Sequence, residues 1–439
     1  MKAKLTSLIV IVLLMSLIIT NCAPAPAEEP MEEPAIEEPA APAEEPTEAP
    51  MEEPAEEPAM PAPEFIEIGA SIPLTGGFGA LGNQVLPGYE YAVAAINDAG
   101  GVYVEEYGVQ IPLRLTYYDD ESDPTKAVSN LETVYSDLDV TAYLGGAASG
   151  MHAATSAIAE KNQVPYCGVA FALYSIHQQG YKYLFSPFPK TPQQAKDTFE
   201  ILNSLPEDVR PSKVAIFSYS DDWGKEQGGL WQQYAEENGY EVVVYEERNP
   251  APDNDWSDAI LKAKAAGAEV LLSLPIPPDG AGMYKTLAEL DWAPKFAVVI
   301  RAPEGPTWGE SQGKIGEYVT IFPGWHNGAK FEGVAELNAA FEADFGRPAD
   351  LLTGSAYSCV QIIAAAIESA GTLDREAVRD AMLATDMETV MGPVTFNEDG
   401  TGNVWNPLVQ WIDGKQELVW PEDQATADFV YPAPPFAER

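Results

Sequence analysis

Ser149 follows Gly145-Gly146-Ala147-Ala148 and precedes Gly150. Small residues there leave a helix start uncovered. Unpaired N–H groups, the helix dipole and one hydroxyl then converge on one point, which suits a carboxylate. The same pattern also suits a serine that only caps its own helix, and chemistry alone weighs the two readings equally. Gly168 to Ala172, with Ala170 between, ends a neighbouring apolar run, so its backbone is placed to share the same cleft. Farther along, Asp221-Asp222-Trp223-Gly224, Leu274-Pro275-Ile276-Pro277 and Arg301-Ala302-Pro303-Glu304-Gly305 each follow an apolar run. Glu304 is suited to accept from an ammonium group and Arg301 to grip a carboxylate. Trp223 is suited to cover an apolar ligand group. Solvent exposure or a mutual pair competes with both charge assignments, more strongly for Arg301.

Other chemistry is weaker. His152, His177 and His326 are the only histidines, scattered and without metal-ligand spacing. No nucleophile elbow is read, so the expected class is binding and not catalysis. Gly77-x-Gly79-x-x-Gly82 has the form of a dinucleotide fingerprint. The acid needed at the end of the second strand is too far away, at Asp119-Asp120, so a flexible rim is preferred and no cofactor is expected. Asp119, Asp120, Glu121 and Asp123 crowd one loop but lack the Gly turn and distal Glu of a calcium site. A solvated loop with a helix cap is expected there, and no metal.

The elements that must position these residues alternate strand and helix from Glu64 onward. Ile66–Ile72, Ile111–Tyr118, Ala142–Leu144, Val164–Val169 and Tyr183–Ser186 read as strands of one series. Asp123-Pro124 reads as a capped helix start. Lys213–Ser218, Glu241–Tyr245, Val270–Leu274, Phe296–Ile300 and Val319–Phe322 make a second series. Three helices follow, near 333–345, 354–369 and 375–384, and then short strands near 394–396, 408–412 and 417–420. Two such series predict an α/β protein with two doubly wound parallel-sheet lobes. The late helices and strands are explained by a chain that crosses back to the first lobe and ends on the second. Ligands of open parallel sheets bind at the carboxyl ends of the strands, so the cleft lies between the lobes.

The N-terminus differs from all this. Lys2 and Lys4 precede an apolar run from Leu5 to Ile19, then Cys22. A basic start, apolar middle and processing point make an export signal, too short for a membrane span. Ile19-Thr20-Asn21-Cys22 resembles a bacterial lipobox, with Asn21 where a small residue usually stands. Residues 23–63 repeat Glu, Pro and Ala without an aromatic or basic residue and read as a disordered tether. The chain is then lipid-anchored outside the cytoplasm through Cys22. Its formal net charge is −44, from 24 basic and 68 acidic residues, and most of the acids lie beyond the tether. Nucleic acid is therefore an unsuitable partner. Cys167 and Cys359 sit in apolar contexts; spacing leaves a disulfide or two buried thiols open, the latter being the commoner case.

Ile68 to Gly76, then Gly82 through Gly88 to Ala95-Ile96-Asn97-Asp98-Ala99-Gly100-Gly101, resembles the opening of the leucine/isoleucine/valine-binding proteins. Asp119 to Ala127, Gly145 to Gly150, and Met391-Gly392-Pro393 to Gly400 match the same family, in order, across roughly Glu64 to Trp420. These are type I periplasmic binding proteins of ABC importers. The resemblance implies two lobes joined by three crossover segments: 64–186 plus 324–391, and 187–323 plus 392–439, preceded by a signal peptide over 1–22. It implies hinge closure on a small solute and delivery to membrane permease subunits by a monomer. The family's carboxylate-holding serine matches Ser149, beside Ala148. Its hydroxyl on the next strand matches Ala172, leaving only backbone there. Its first rim aromatic matches Leu81, its second-lobe tyrosine matches Trp223, and its ammonium-binding acid matches Glu304. A branched-chain or other apolar amino acid is the expected ligand, with an aromatic or other small carboxylate or amide as the alternative. A ligand sensor without transport is the alternative in another class.

Overall fold

Every residue of β1 (Ile66–Ile72) is buried, as a parallel strand covered by helices on both faces must be. The first series continues with α1 (Gly79–Asp98), the hairpin of β2 (Val102–Val104) and β3 (Val109–Ile111), β4 (Leu113–Asp119), α2 (Pro124–Asp137), β5 (Val140–Leu144), α3 (Ser149–Asn162), β6 (Tyr166–Cys167) and β7 (Leu184–Phe185). Its sheet is parallel throughout, in the order β4-β1-β5-β6-β7. The computed structural model describes residues 61–439. The apolar leader, Cys22 and the tether up to residue 60 lie outside the described residues.

The second series comprises α4 (Thr191–Ser204), β8 (Lys213–Tyr219), α5 (Asp222–Glu237), β9 (Glu241–Arg248), α6 (Ser257–Ala266), β10 (Val270–Ser273), α7 (Pro277–Glu289), β11 (Phe296–Val299), α8 (Trp308–Gln312) and β12 (Thr320–Ile321). Next come α9 (Val334–Phe345), α10 (Thr353–Ala370), α11 (Arg375–Leu383), β13 (Asp386–Thr389), β14 (Gly392–Phe396) and β15 (Gly402–Asn403). The chain closes with β16 (Leu408–Ile412) and β17 (Lys415–Trp420). The second sheet runs β17-β16-β12-β11-β10-β8-β9, parallel except for its last two strands. Counted within its own series, each parallel sheet has the doubly wound order 2-1-3-4-5, which leaves a crevice where the strand order reverses.

The late helices return to the first sheet. α10 packs along α1, and Gly88 permits the approach: a Cβ there would lie 2.2 Å from the Thr353 carbonyl oxygen. Thr353 Oγ1 donates to the Gln84 carbonyl at 2.9 Å across the same contact. Three segments connect the sheets, at 186–190, 322–333 and 404–407. The third differs from the expected switch at residue 392. β14 pairs with β13 and β15 in a separate small sheet, and Val394 packs in the core of the first sheet.

Two further expectations change. The strand expected over Ile111–Tyr118 divides at Pro112, which lacks the N–H a ladder needs. α4 is absent from the sequence reading because its polar residues resemble a loop, although Ala195, Phe199 and Leu202 recur at helical spacing and are buried. The separate-thiol preference is overturned as well. Cys167 at the end of β6 is bonded to Cys359 in α10, across 192 residues. This covalent tie fastens the returning helix to the sheet, and closing so long a loop restricts the unfolded chain strongly. Replacing both cysteines with alanine should destabilise the protein by about 2–4 kcal/mol in denaturant titrations. Reductant should destabilise the wild type and leave the double variant unchanged.

Candidate functional site

The crevices of the two sheets meet in a cavity of about 370 Å³. Its walls combine Leu81, Phe171, Phe188, Ile300, Phe322 and Leu352 with the polar groups of Ser149, Gln194, Trp223, Arg301 and Glu304. Small apolar lining with a few convergent polar groups is the usual composition of a small-molecule site.

On the first lobe, Ser149 is the first residue of α3 and its Oγ accepts from the Leu173 N–H at 3.4 Å. The glycines before it are needed for packing. A Cβ on Gly145 would lie 2.4 Å from His152 Nε2, and one on Gly146 would lie 2.7 Å from the Ser71 carbonyl. Ala148 and Ala170 both have positive φ, 74° and 54°, and the Ala148 N–H donates to the Ala170 carbonyl at 3.0 Å. The backbone is thus bent twice to present the helix start. Asp119 holds the adjacent rim loop by accepting from the N–H groups of Leu74 and Thr75 and from Thr75 Oγ1. Asp120 is buried, so the acidic loop is only partly solvated, contrary to expectation; Asp123 caps α2 through the Thr125 N–H.

On the second lobe, Arg301 has φ 77° and ψ −57°, a conformation that non-glycine residues rarely hold without a functional reason. Its N–H donates to Glu304 Oε1 at 2.9 Å. The guanidinium stacks on Trp223, 3.9 Å from the ring centroid. No carboxylate forms an ion pair with it among the described residues. Both charges are buried. Burial pushes the Glu304 carboxyl up to about 7, opposed by the Arg301 N–H and the Arg301 charge, and draws the Arg301 guanidinium below its ordinary value.

The structure brings Leu81, Ser149, Ala170, Ala172, Trp223, Arg301 and Glu304 to one cavity. It leaves two expected residues out of the lining. Ala148 packs against Ala127 and Met151, behind the helix start. Ile276 precedes α7, donates from its N–H to the Tyr219 hydroxyl at 3.0 Å and packs on the second core. Sequence reasoning missed Phe188 and Phe322, which stand in the connecting segments, and Gln194, which lies in the missed α4. Gly82 of the glycine run serves packing: a Cβ there would strike the Pro73 carbonyl at 2.0 Å. Gly309 to Gly313 spells a Gly-x-Ser-x-Gly string that the sequence reading passed over. It lies in and just after the short α8, where Ser311 Oγ donates to the Trp308 carbonyl, and no strand leads into it as a nucleophile elbow requires.

Residues 66–416 match the periplasmic binding protein family. The chain belongs to this family. A Leu/Ile/Val-binding protein homolog 3 from Brucella melitensis is 27% identical over 357 residues, covering 80% of this chain and 92% of the relative. The fold is also similar to a leucine binding protein LivK from Thermotoga maritima, at TM-score 0.73 and 19% identity, over 82% of this chain and all of that one. A solute binding protein of an ABC transporter from R. palustris, in complex with benzoate, has TM-score 0.70 and 17% identity, over 84% of this chain and 98% of that one. The family places the protein's work outside the cytoplasm, as solute binding.

The titration of Glu304 gives a test of the buried pair. Burial holds its folded pKa at about 7, above the ordinary value for a glutamate. The folded state therefore holds more protons between these values, and its stability falls as pH rises through that window. Glu304→Gln should remove this slope. The ligand-free variant should exceed the wild type in stability at pH 8 by at most about 3 kcal/mol, and match it near pH 4. Chemical denaturation at both pH values measures the difference.

Proposed function

We propose that this is a lipid-anchored extracytoplasmic solute-binding protein of an ABC importer, taking a branched-chain or other apolar amino acid in the interlobe cleft. The single observation that carries this reading is the shared cavity, in which the Ser149 helix start faces a buried Glu304. A carboxylate at Ser149 gains the helix dipole and the free N–H groups of the first turn. An ammonium group keeps Glu304 ionised, so binding and deprotonation of that acid support each other. The apolar walls take the side chain. The relatives named for leucine, isoleucine and valine support the same reading. No enzymatic step and no cofactor are required.

Arg301 favours a second reading. A buried guanidinium without an ion-paired carboxylate suits a simple or aromatic carboxylate, and a neighbour of this fold is bound to benzoate. In both readings the lobes hinge about the three connecting segments, Cys22 carries the lipid and permease subunits receive the solute.

Calorimetry on three variants separates the readings. With an α-amino acid, Ser149→Ala should weaken binding by about 1.5–3 kcal/mol, through loss of a charge-assisted hydrogen bond. Glu304→Gln should cost at least as much. With an amine-free carboxylate, Glu304→Gln should matter little and Arg301→Ala should dominate. If all three variants bind as the wild type does, the cleft is misassigned. Cys22→Ser should release the protein from membranes on fractionation; a variant that stays bound contradicts the anchor.

A further inference from the structure

Gln194 lies one turn into α4, directly after the first connecting segment. Its neighbour Gln193 is spent on structure, donating from Nε2 to the Val404 carbonyl at 2.9 Å. The backbone of Gln194 is also engaged: its N–H donates to the Lys190 carbonyl at 3.0 Å, and its carbonyl accepts from Thr198 Oγ1 at 2.7 Å. Its side chain is different. Gln194 is 1% exposed and lines the cavity, yet no described residue donates to its Oε1. A buried amide oxygen without a donor costs free energy and calls for an explanation.

The position of α4 supplies one. The Thr191 N–H donates to the Ala172 carbonyl at 2.9 Å, which sets the start of α4 against the loop after β6, where the Ala172 side chain is only a methyl group. Gln194 and Ala172 line the same cavity, so the amide brings to this wall a polar side chain that Ala172 does not. We infer that Gln194 is a specificity-determining ligand contact, its side-chain carbonyl accepting a hydrogen bond from the ligand's amine, so that the cleft selects an amine-bearing carboxylate over the same skeleton without the amine. The inference rests on the cleft reading above and makes Gln194 the partner of Glu304 in that selection.

The test uses the full chain with L-leucine and L-phenylalanine, and with their amine-free counterparts 4-methylpentanoate and 3-phenylpropanoate. Calorimetry gives the preference for amine over no amine, and thermal unfolding without ligand gives the structural cost. Gln194→Leu should cut that preference about tenfold or more, while the ligand-free melting midpoint holds or rises because an unsatisfied amide is gone. Gln194→Glu should keep or sharpen the preference, since it remains an acceptor and adds charge. A Gln194→Leu protein that keeps the wild-type preference overturns the inference and leaves the amino-acid reading intact. So does one with a lowered ligand-free midpoint and equal losses for both ligand types, which marks a purely structural role. Loss of preference in Gln194→Glu also overturns it, because the amide would then be a donor. Wild-type protein that binds neither amino acid, or binds the amine-free acids as tightly, overturns both the inference and the amino-acid reading.

Discussion

Two ionisable side chains, Arg301 and Glu304, are held out of water at the meeting point of two sheets, and the surrounding backbone is bent to keep them there. Each buried ion carries a desolvation cost of several kcal/mol unless partners compensate. Here compensation is partial: one backbone hydrogen bond for the carboxylate, and the rings of Trp223 and Phe78 for the guanidinium. Positive φ at Arg301, with Ala148 and Ala170 across the cleft, adds local strain of order 1–3 kcal/mol each. The rest of the fold must supply that free energy. Two extensive cores, a covalent tie from Cys167 to Cys359 and an interhelix contact made possible by Gly88 do so.

Much of this arrangement was legible in the sequence because it rests on local chemistry. Buried parallel strands read as unbroken apolar runs, and the 145–150 run announced a helix start, although Gly145 and Gly146 serve close packing and do not leave it uncovered. Two series of strand and helix implied two sheets, and strand ends implied the cleft. Ser149 was singled out from the small residues before a helix start, and Trp223, Arg301 and Glu304 from their position after a strand; all four line the cavity. What the sequence did not show depended on contacts between distant segments. Gln194 is an ordinary glutamine in a polar stretch until the fold turns it into the cavity. The disulfide needs α10 to return to β6, which no spacing rule encodes. Ala148 and Ile276 have suitable neighbours in sequence, but their side chains pack behind the wall.

The disulfide and the family agree on the compartment. A buried bond between distant cysteines persists in an oxidising environment, and periplasmic binding proteins act outside the cytoplasm. The acidic surface keeps such a protein soluble and repels nucleic acid. The connecting segments carry their own wall residues, Phe188 and Phe322, into the cavity. A shift in these segments would therefore move side chains of the cavity wall directly.

The most direct measurement is mass spectrometry of the small molecules released when the purified, full-length protein is denatured. The account predicts an α-amino acid, near one per chain, that rebinds after refolding. A carboxylate without an amine, released at the same stoichiometry and rebound as tightly, would contradict it.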